Sequence, residues 1–259
     1  MTSVPADDSG VCAWPISSEI IYSGMQTGRI YLFPSSLGDV PPSEVLPQRN
    51  IELLRGVRHF VVEELRTARR FLKACDRSIV IDDLHFEVLN EHTSPEAVEA
   101  MLAPALAGED IGVISEAGCP AVADPGADLV AAAQRRGIEV CPLVGPSSIL
   151  LSLMASGFNG QSFAFEGYLP IDAGRRAARL REMEKSVRTR RQTQIFIETP
   201  YRNNRLVAEL ARTLPPDMLL CVAADLTGPR QSVRTLTLRR WRSETYDYDK
   251  IPAIFLLYS

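Results

Sequence analysis

Three short stretches of this sequence combine glycine, proline and small hydroxyl residues at spacings that suit the gripping of a small ligand. Residues 113–126 read VISEAGCPAVADPG, residues 142–148 read PLVGPSS, and residues 34–39 read PSSLGD. Each follows an apolar run of strand character, and the first two precede a helix. In open α/β sheets ligands collect at the carboxyl ends of strands. Small residues there let backbone N–H and C=O groups come close to a ligand. Any one such loop is also an ordinary strand-to-helix turn, and Ser147 or Ser148 also suits a helix cap. Three of them at equivalent strand ends can converge on one cleft.

Two further constellations carry charge. Glu63 and Glu64 close a predicted strand, and Glu91 and His92 lie in a polar turn. These are the candidates for general acid–base work. The competing role for Glu63 and Glu64 is pairing with Arg66 and Arg69 on the surface, and His59 and His85 read as structural. The segment 174–191 holds Arg175, Arg176, Arg179, Arg181, Lys185, Arg188, Arg190 and Arg191 against only Glu182 and Glu184. Such a run is either a solvated helix face or a surface that neutralises phosphates. Arg66, Arg69, Arg70, Arg202, Arg205 and Arg230 would extend it.

The elements that must position these residues alternate. Gly28 to Phe33, His59 to Val62, Ile111 to Ile114 and Glu139 to Pro142 read as strands. Arg66 to Ala74, Ser94 to Ala107, Asp128 to Arg136 and Pro146 to Ser156 read as helices. Ser94 is a good N-cap with Pro95 in the first turn, and Gly108, Gly137 and Gly157 suit helix ends. Further on, Phe163 to Phe165 and Gln194 to Ile197 read as strands, with helices over Arg175 to Ser186 and Asn203 to Thr213. Three strands then follow without intervening helices: Leu219 to Ala224, Ser232 to Leu238 and Ile251 to Tyr258. The pattern predicts two α/β domains. The first, 28–157, carries a mostly parallel sheet. The second, 158–259, carries a mixed sheet that is partly antiparallel. Residues 1–27 read as a tail, with Met25 as a possible native start.

Composition narrows the function. At 259 residues and 46% apolar, the chain can fold without disulfides. Its five cysteines are scattered and form no C-x-x-C pair, so no metal site is expected. The net charge of -4 does not advertise a polyanion partner, so any such argument must be local. No apolar run approaches the length of a membrane span and no basic leader is present, which predicts a cytoplasmic protein. Neither G-x-G-x-x-G nor G-x-x-x-x-G-K-[ST] occurs, against a nicotinamide-type Rossmann site or a P-loop.

Taken in order, these pieces resemble the tetrapyrrole (corrin/porphyrin) methylase family, and within it the small-subunit ribosomal RNA 2′-O-methyltransferase branch. The resemblance runs from Gly28 to Tyr258. It rests on the Pro34, Gly38, Asp39 loop, on Glu63 and Glu64 before an arginine-rich helix, on Ser115 to Pro120 followed by Asp124 to Gly126, and on Gly145 to Ser148. Glu166 to Pro170 matches the family's domain crossover, and Glu198 to Arg202 resembles the branch's Glu-Ser-Pro-His-Arg. Glu116, Cys119, the Glu64-Leu65-Arg66 run and Tyr201 depart from the usual residues and mark a divergent subgroup.

The resemblance implies S-adenosylmethionine in a cleft between the two domains, and a homodimer. It implies cofactor contacts at Pro34, Ser115, Glu116, Ala117, Gly118, Pro120, Ser147 and Ser148, with Thr199, Leu226 and Ala253 approaching from the second domain. The implied acceptor is a ribose hydroxyl in ribosomal RNA or the small ribosomal subunit, with Arg66, Arg69, Arg175, Arg176 and Arg202 as substrate contacts. Methyl transfer from a sulfonium is an in-line displacement, so alignment and exclusion of water dominate. A hydroxyl acceptor adds the need for a base, and Glu64, Glu63 and His92 are the candidates. A small macrocyclic acceptor, or a non-catalytic role in binding RNA or ribosomes, stays open at this point.

Overall fold

The computed structural model of the protein describes residues 27–259. Nearly all of the expected tail, Met25 included, lies outside the described residues. Two five-stranded sheets organise the rest. The first has the order β3-β2-β4-β1-β5, and all its pairings are parallel. Its strands are β1 (Ile30–Phe33), β2 (His59–Val62), β3 (His85–Val88), β4 (Ile111–Ile114) and β5 (Val140–Pro142).

Both faces of this sheet are covered, as a parallel sheet requires. Ile30, Val61, Ile111 and Val113 face one cluster, filled by Val98, Leu102, Ala105, Leu129 and Ala132. Tyr31, Phe33, Phe60, Val62 and Ile114 face the other, filled by Leu54, Ala68 and Leu72. Apart from Leu102, which joins α4 to α5, these residues come from α2 (Gln48–Leu54), α3 (Leu65–Cys75), α4 (Pro95–Ala100), α5 (Ala103–Leu106) and α6 (Gly126–Arg135), and a short α1 (Pro42–Val45) precedes them. At Gly112 a Cβ would lie 2.6 Å from the Phe60 ring, so only glycine lets that ring lie across β4.

The single helix expected over Ser94 to Ala107 is two. It breaks at Met101 and Leu102 and restarts at Ala103 with Pro104 in the first turn. A proline has no N–H to continue the preceding turn, and its ring clashes with the carbonyl four residues back.

The second sheet has the order β6-β7-β10-β8-β9. It is built from β6 (Phe163–Tyr168), β7 (Thr193–Ile197), β8 (Leu219–Ala224), β9 (Ser232–Thr237) and β10 (Ala253–Tyr258). β6 and β7 are parallel, and the other pairings are antiparallel. The outer face carries the larger core, where Phe196, Leu220, Val222 and Phe255 meet Leu180, Met183, Val187, Leu206 and Leu210. Those partners come from α8 (Ala173–Arg190) and α9 (Asn203–Thr213), and α10 (Leu238–Trp241) closes the end.

The inner face of this sheet joins the two halves. Ile195, Cys221, Ala223, Ile254 and Leu256 pack against Leu153, Ile149 and Leu151 of α7 (Ser148–Ser156), and against Leu37 from the loop after β1. So α7, the last helix of the first half in chain order, packs on the second sheet. Gly157, at φ 79°, ends it in the left-handed conformation that glycine adopts without strain.

Candidate active site

Because β4, β1 and β5 are adjacent and parallel, the loops after them emerge side by side. Their contacts are intimate. Ser35 N–H donates to the Gly118 carbonyl at 2.9 Å, and Gly118 N–H donates to the Ser35 carbonyl at 3.2 Å. A Cβ on Gly145 would lie 2.3 Å from the Pro34 Cβ, so the β1 and β5 loops touch through a bare backbone. The Cys119 thiol lies 3.5 Å from the Pro146 carbonyl. The three stretches therefore share one place.

Two hollows flank the Ser35–Gly118 pairing. One, of about 260 Å³, lies between the domains and is lined by Leu37, Ala117 and Ser148 on one side and by Tyr168, Ile197, Glu198, Ala223, Leu226 and Ala253 on the other. The second, of about 200 Å³, sits within the first domain and is lined by Ser36, Asp39, Glu64, Arg70, Phe71, Ser115 and Glu116.

Of the residues expected at a cofactor, Ala117, Ser148, Leu226 and Ala253 line the interdomain hollow, and Ser115 and Glu116 line its neighbour. Pro34, Gly118 and Pro120 are buried behind the loops and line neither hollow. Ser147 caps α7, its hydroxyl accepting from Leu150 N–H at 3.4 Å. Thr199 lies between the lining residues Glu198 and Pro200, and its N–H donates to the Glu198 carboxylate at 2.7 Å.

The loops hold strain. Ala121 and Ala123 in the β4 loop, and Asp225 and Thr227 after β8, have positive φ. Side chains there cost about 1–3 kcal/mol each and persist only where surroundings enforce them. In the β4 loop the enforcer is Asp124, whose carboxylate accepts from Ala121 N–H at 2.9 Å and Gly126 N–H at 2.7 Å. Burial nonetheless pushes the Asp124 carboxyl up. Next to Leu226, the Thr227 hydroxyl is buried without a hydrogen-bond partner among the described residues. A buried orphan hydroxyl is costly unless something occupies it, and it lies one residue from the lining of the interdomain hollow.

The acid–base candidates separate. Glu64 is the N-cap of α3, accepting from Arg66 N–H at 2.9 Å, Thr67 N–H at 2.6 Å and the Thr67 hydroxyl at 2.8 Å. Those bonds hold its carboxyl below the usual range. Glu63 lines neither hollow itself, but it accepts from the N–H of the lining residue Glu116 at 2.9 Å and so touches the β4 loop directly. His92 sits in the turn after β3, largely exposed beside Glu91, and lines neither hollow.

The arginines separate too. Arg176 is engaged within the protein: it donates to Glu209 at 2.8 Å and to the carbonyls of Pro170 and Ile171, with its side chain 13% exposed. That geometry contradicts an open phosphate contact at this residue, because the guanidinium is spent on pinning α8 to α9 and to the crossover. Arg175 is open, its nearest carboxylate being Asp172 at 3.9 Å. Arg179 pairs with Glu166 and Glu182. Arg66 is exposed, Arg69 lies over the Phe86 ring, and Arg202 donates to Glu198 at 2.6 Å.

The family model for Tetrapyrrole (Corrin/Porphyrin) Methylases matches residues 42–241. The chain belongs to this family. It is therefore a methyltransferase dependent on S-adenosylmethionine. A protein of Mesorhizobium japonicum named Ribosomal RNA small subunit methyltransferase I is 35% identical over 81% of this chain and 67% of its own. Its namesake in Vibrio cholerae is 28% identical over 88% of this chain and 76% of its own. Among solved structures, the methyltransferase CobJ is similar with a TM-score of 0.60 at 18% identity, over 90% of this chain and 95% of its own. Uroporphyrin-III C-methyl transferase from Thermus thermophilus, complexed with S-adenyl homocysteine, has a TM-score of 0.53 at 19% identity, over 90% of this chain and 98% of its own. At those identities the structures speak for the fold alone.

Sequence reasoning missed several lining residues, Leu37, Tyr168, Glu198 and Phe71 among them. Leu37 carried a signal, since it stands within the PSSLGD loop. Tyr168 stands within the Glu166 to Pro170 crossover, but the aim of its ring depends on a bulge in β6 that the crossover motif does not reveal.

Proposed function

We propose that this methyltransferase modifies a ribose 2′-hydroxyl of small-subunit ribosomal RNA, acting in the cytoplasm as a homodimer. The observation that carries the reading is the meeting of the β1, β4 and β5 loops at one hollow closed by the second domain. The relatives' names supply the substrate class.

Ala117, Ser148, Leu226 and Ala253 would hold the cofactor, with the orphan Thr227 hydroxyl able to take up one of its polar groups. When bound, S-adenosylmethionine supplies an electrophilic methyl on a sulfonium. This chain's own residues must then align the acceptor and exclude water. The apolar lining of Leu37, Ile197, Leu226 and Ile254 suits exclusion. Glu63 is the base we assign, since Glu64 is occupied as a cap and His92 stands apart. Arg66, Arg69, Arg175 and Arg202 are the substrate contacts that remain after Arg176 is withdrawn. Val144, and Leu150 and Met154 one turn apart on α7, are each more than half exposed among the described residues, which supports self-association.

The test is incubation with labelled S-adenosylmethionine and small ribosomal subunits lacking the modification. Alkali-resistant label in one nucleotide is the expected result. Label in a tetrapyrrole and none in RNA would refute the substrate.

A further inference from the structure

Two large exposed aromatic side chains stand beside the interdomain hollow, and apolar surface gathered at a ligand groove commonly marks an interaction site. Tyr168 is 63% exposed and Tyr201 is 75% exposed. Both stand at the second-domain side of the interdomain hollow. Tyr168 lines it, and Tyr201 follows the lining residue Pro200.

The backbone aims each ring. In β6, Phe163 pairs with Thr193 and Phe165 with Ile195, but it is Tyr168 that pairs with Ile197. One extra residue has been inserted, at a bulge containing Gly167 at φ 65°. Strand side chains alternate, so an uninterrupted β6 would turn Tyr168 to the outer face with Glu166, which pairs with Arg179 of α8. The bulge turns it instead to the face of Phe165, Ile195 and Ile197, which looks towards the first domain. Re-aiming a side chain beside a site is what bulges commonly do. Tyr201 is held by a different device. Glu198, its side chain 7% exposed, accepts from Thr199 N–H and from Arg202 on either side of the ring-bearing residue. Lys250 N–H donates to the Pro200 carbonyl at 3.2 Å. Both rings are thus exposed on backbone that is tied down.

The charge beside them has a sign. Ile171, Arg176, Glu198, Arg202 and Arg205 share a neighbouring hollow with Glu209. Arg176 pairs with Glu209 and Arg202 with Glu198, while Arg205 is exposed and has no carboxylate partner among the described residues. Exposed rings on tied-down backbone, beside the guanidinium of Arg205, suit unstacked bases and their phosphates.

We infer that Tyr168 and Tyr201 form a stacking platform for unpaired RNA bases next to the target ribose, with Arg205 taking an adjoining phosphate. The inference rests on the RNA reading above and narrows it to single-stranded or loop RNA. The two tyrosines are positioning residues.

The test is fluorescence anisotropy with a short labelled unpaired RNA and with the same sequence as a duplex. Tyr201→Ala should weaken binding of the unpaired RNA by about 5- to 150-fold, from the usual strength of base–aromatic stacking. Tyr201→Phe and Tyr201→Trp should stay within about twofold, since stacking needs the ring and not the hydroxyl. Duplex binding should be the same in all, and calorimetry should find unchanged S-adenosylhomocysteine affinity for Tyr201→Ala. With small subunits, KM should rise while kcat holds. Failure of the wild-type protein to bind unpaired RNA would overturn the RNA reading and this inference with it. Wild-type binding matched by Tyr201→Ala would overturn the inference alone. If that variant instead lost self-association in sedimentation, the platform would be reassigned as an interface between copies.

Discussion

Gly145→Ala puts the convergence of loops under direct strain. The added methyl would lie 2.3 Å from the Pro34 Cβ and 2.6 Å from its Cγ, where ordinary contact begins near 3.4 Å. The proline ring cannot fold away, and Leu46 Cδ2 blocks a third direction at 3.3 Å. The β1 and β5 loops must then part by roughly 1 Å, a misplacement that costs about 100-fold in rate at a site that depends on alignment. Overpacking of this kind costs about 1–3 kcal/mol, which lowers the melting temperature by about 2–12 °C for a chain of this size. The comparison is Gly160→Ala, whose methyl meets nothing within 4 Å. Calorimetry with S-adenosylhomocysteine, single-turnover transfer and thermal unfolding should separate the two variants. Wild-type affinity and turnover in folded Gly145→Ala would refute the claim that the Pro34–Gly145 contact sets the site's geometry.

Three further outcomes are expected. Glu63→Gln should lower kcat by about 10²- to 10⁴-fold, as loss of a general base does, whereas Glu64→Gln should leave kcat within about tenfold and lower the melting temperature; the reverse order in rapid-quench rates would assign the base to Glu64. Arg175→Ala should reduce the slope of log affinity against log salt by about 1 without altering the melting temperature, whereas Arg176→Ala should lower the melting temperature by removing the ties to Glu209, Pro170 and Ile171; an unchanged salt slope removes Arg175 from the RNA surface. Asp124→Ala should cost about 1–3 kcal/mol by stranding the Ala121 and Gly126 N–H groups. Asp124→Asn keeps an acceptor and sheds a charge. Burial raises the native Asp124 pKa, so the wild-type carboxyl contributes most below its unfolded value of about 4 and loses that as pH rises through the native value. Denaturant unfolding should therefore show Asp124→Asn gaining on wild type with rising pH; a gap that narrows would contradict the sign.

Much of the fold was legible because its signals are local. Apolar runs ending in Gly, Pro or Ser located β1, β4 and β5, the run ending at Glu63 and Glu64 located β2, and N-caps located α4 and α7. β3 was missed because it is an edge strand whose His85 and Glu87 are solvent-facing, which blurs the apolar pattern. Sheet order was not legible, since pairing β1 between β4 and β5 is a non-local choice. The packing of α7 on the second sheet was hidden for the same reason, as a helix apolar on most sides does not name its neighbour. In the site, loop glycines and prolines were readable by type, but their division into lining and support was not. Pro34 looks like a ligand contact until Gly145 is seen against it. Arg176 looks like a phosphate contact until Glu209, far along the chain, arrives beside it.

The most direct measurement is a crystal structure with S-adenosylhomocysteine bound. Density for the ligand is expected between Ala117 and Ser148 on one side and Leu226 and Ala253 on the other, with a polar group at the Thr227 hydroxyl. Ligand density elsewhere on the chain, with that interdomain hollow filled only by water, would contradict it.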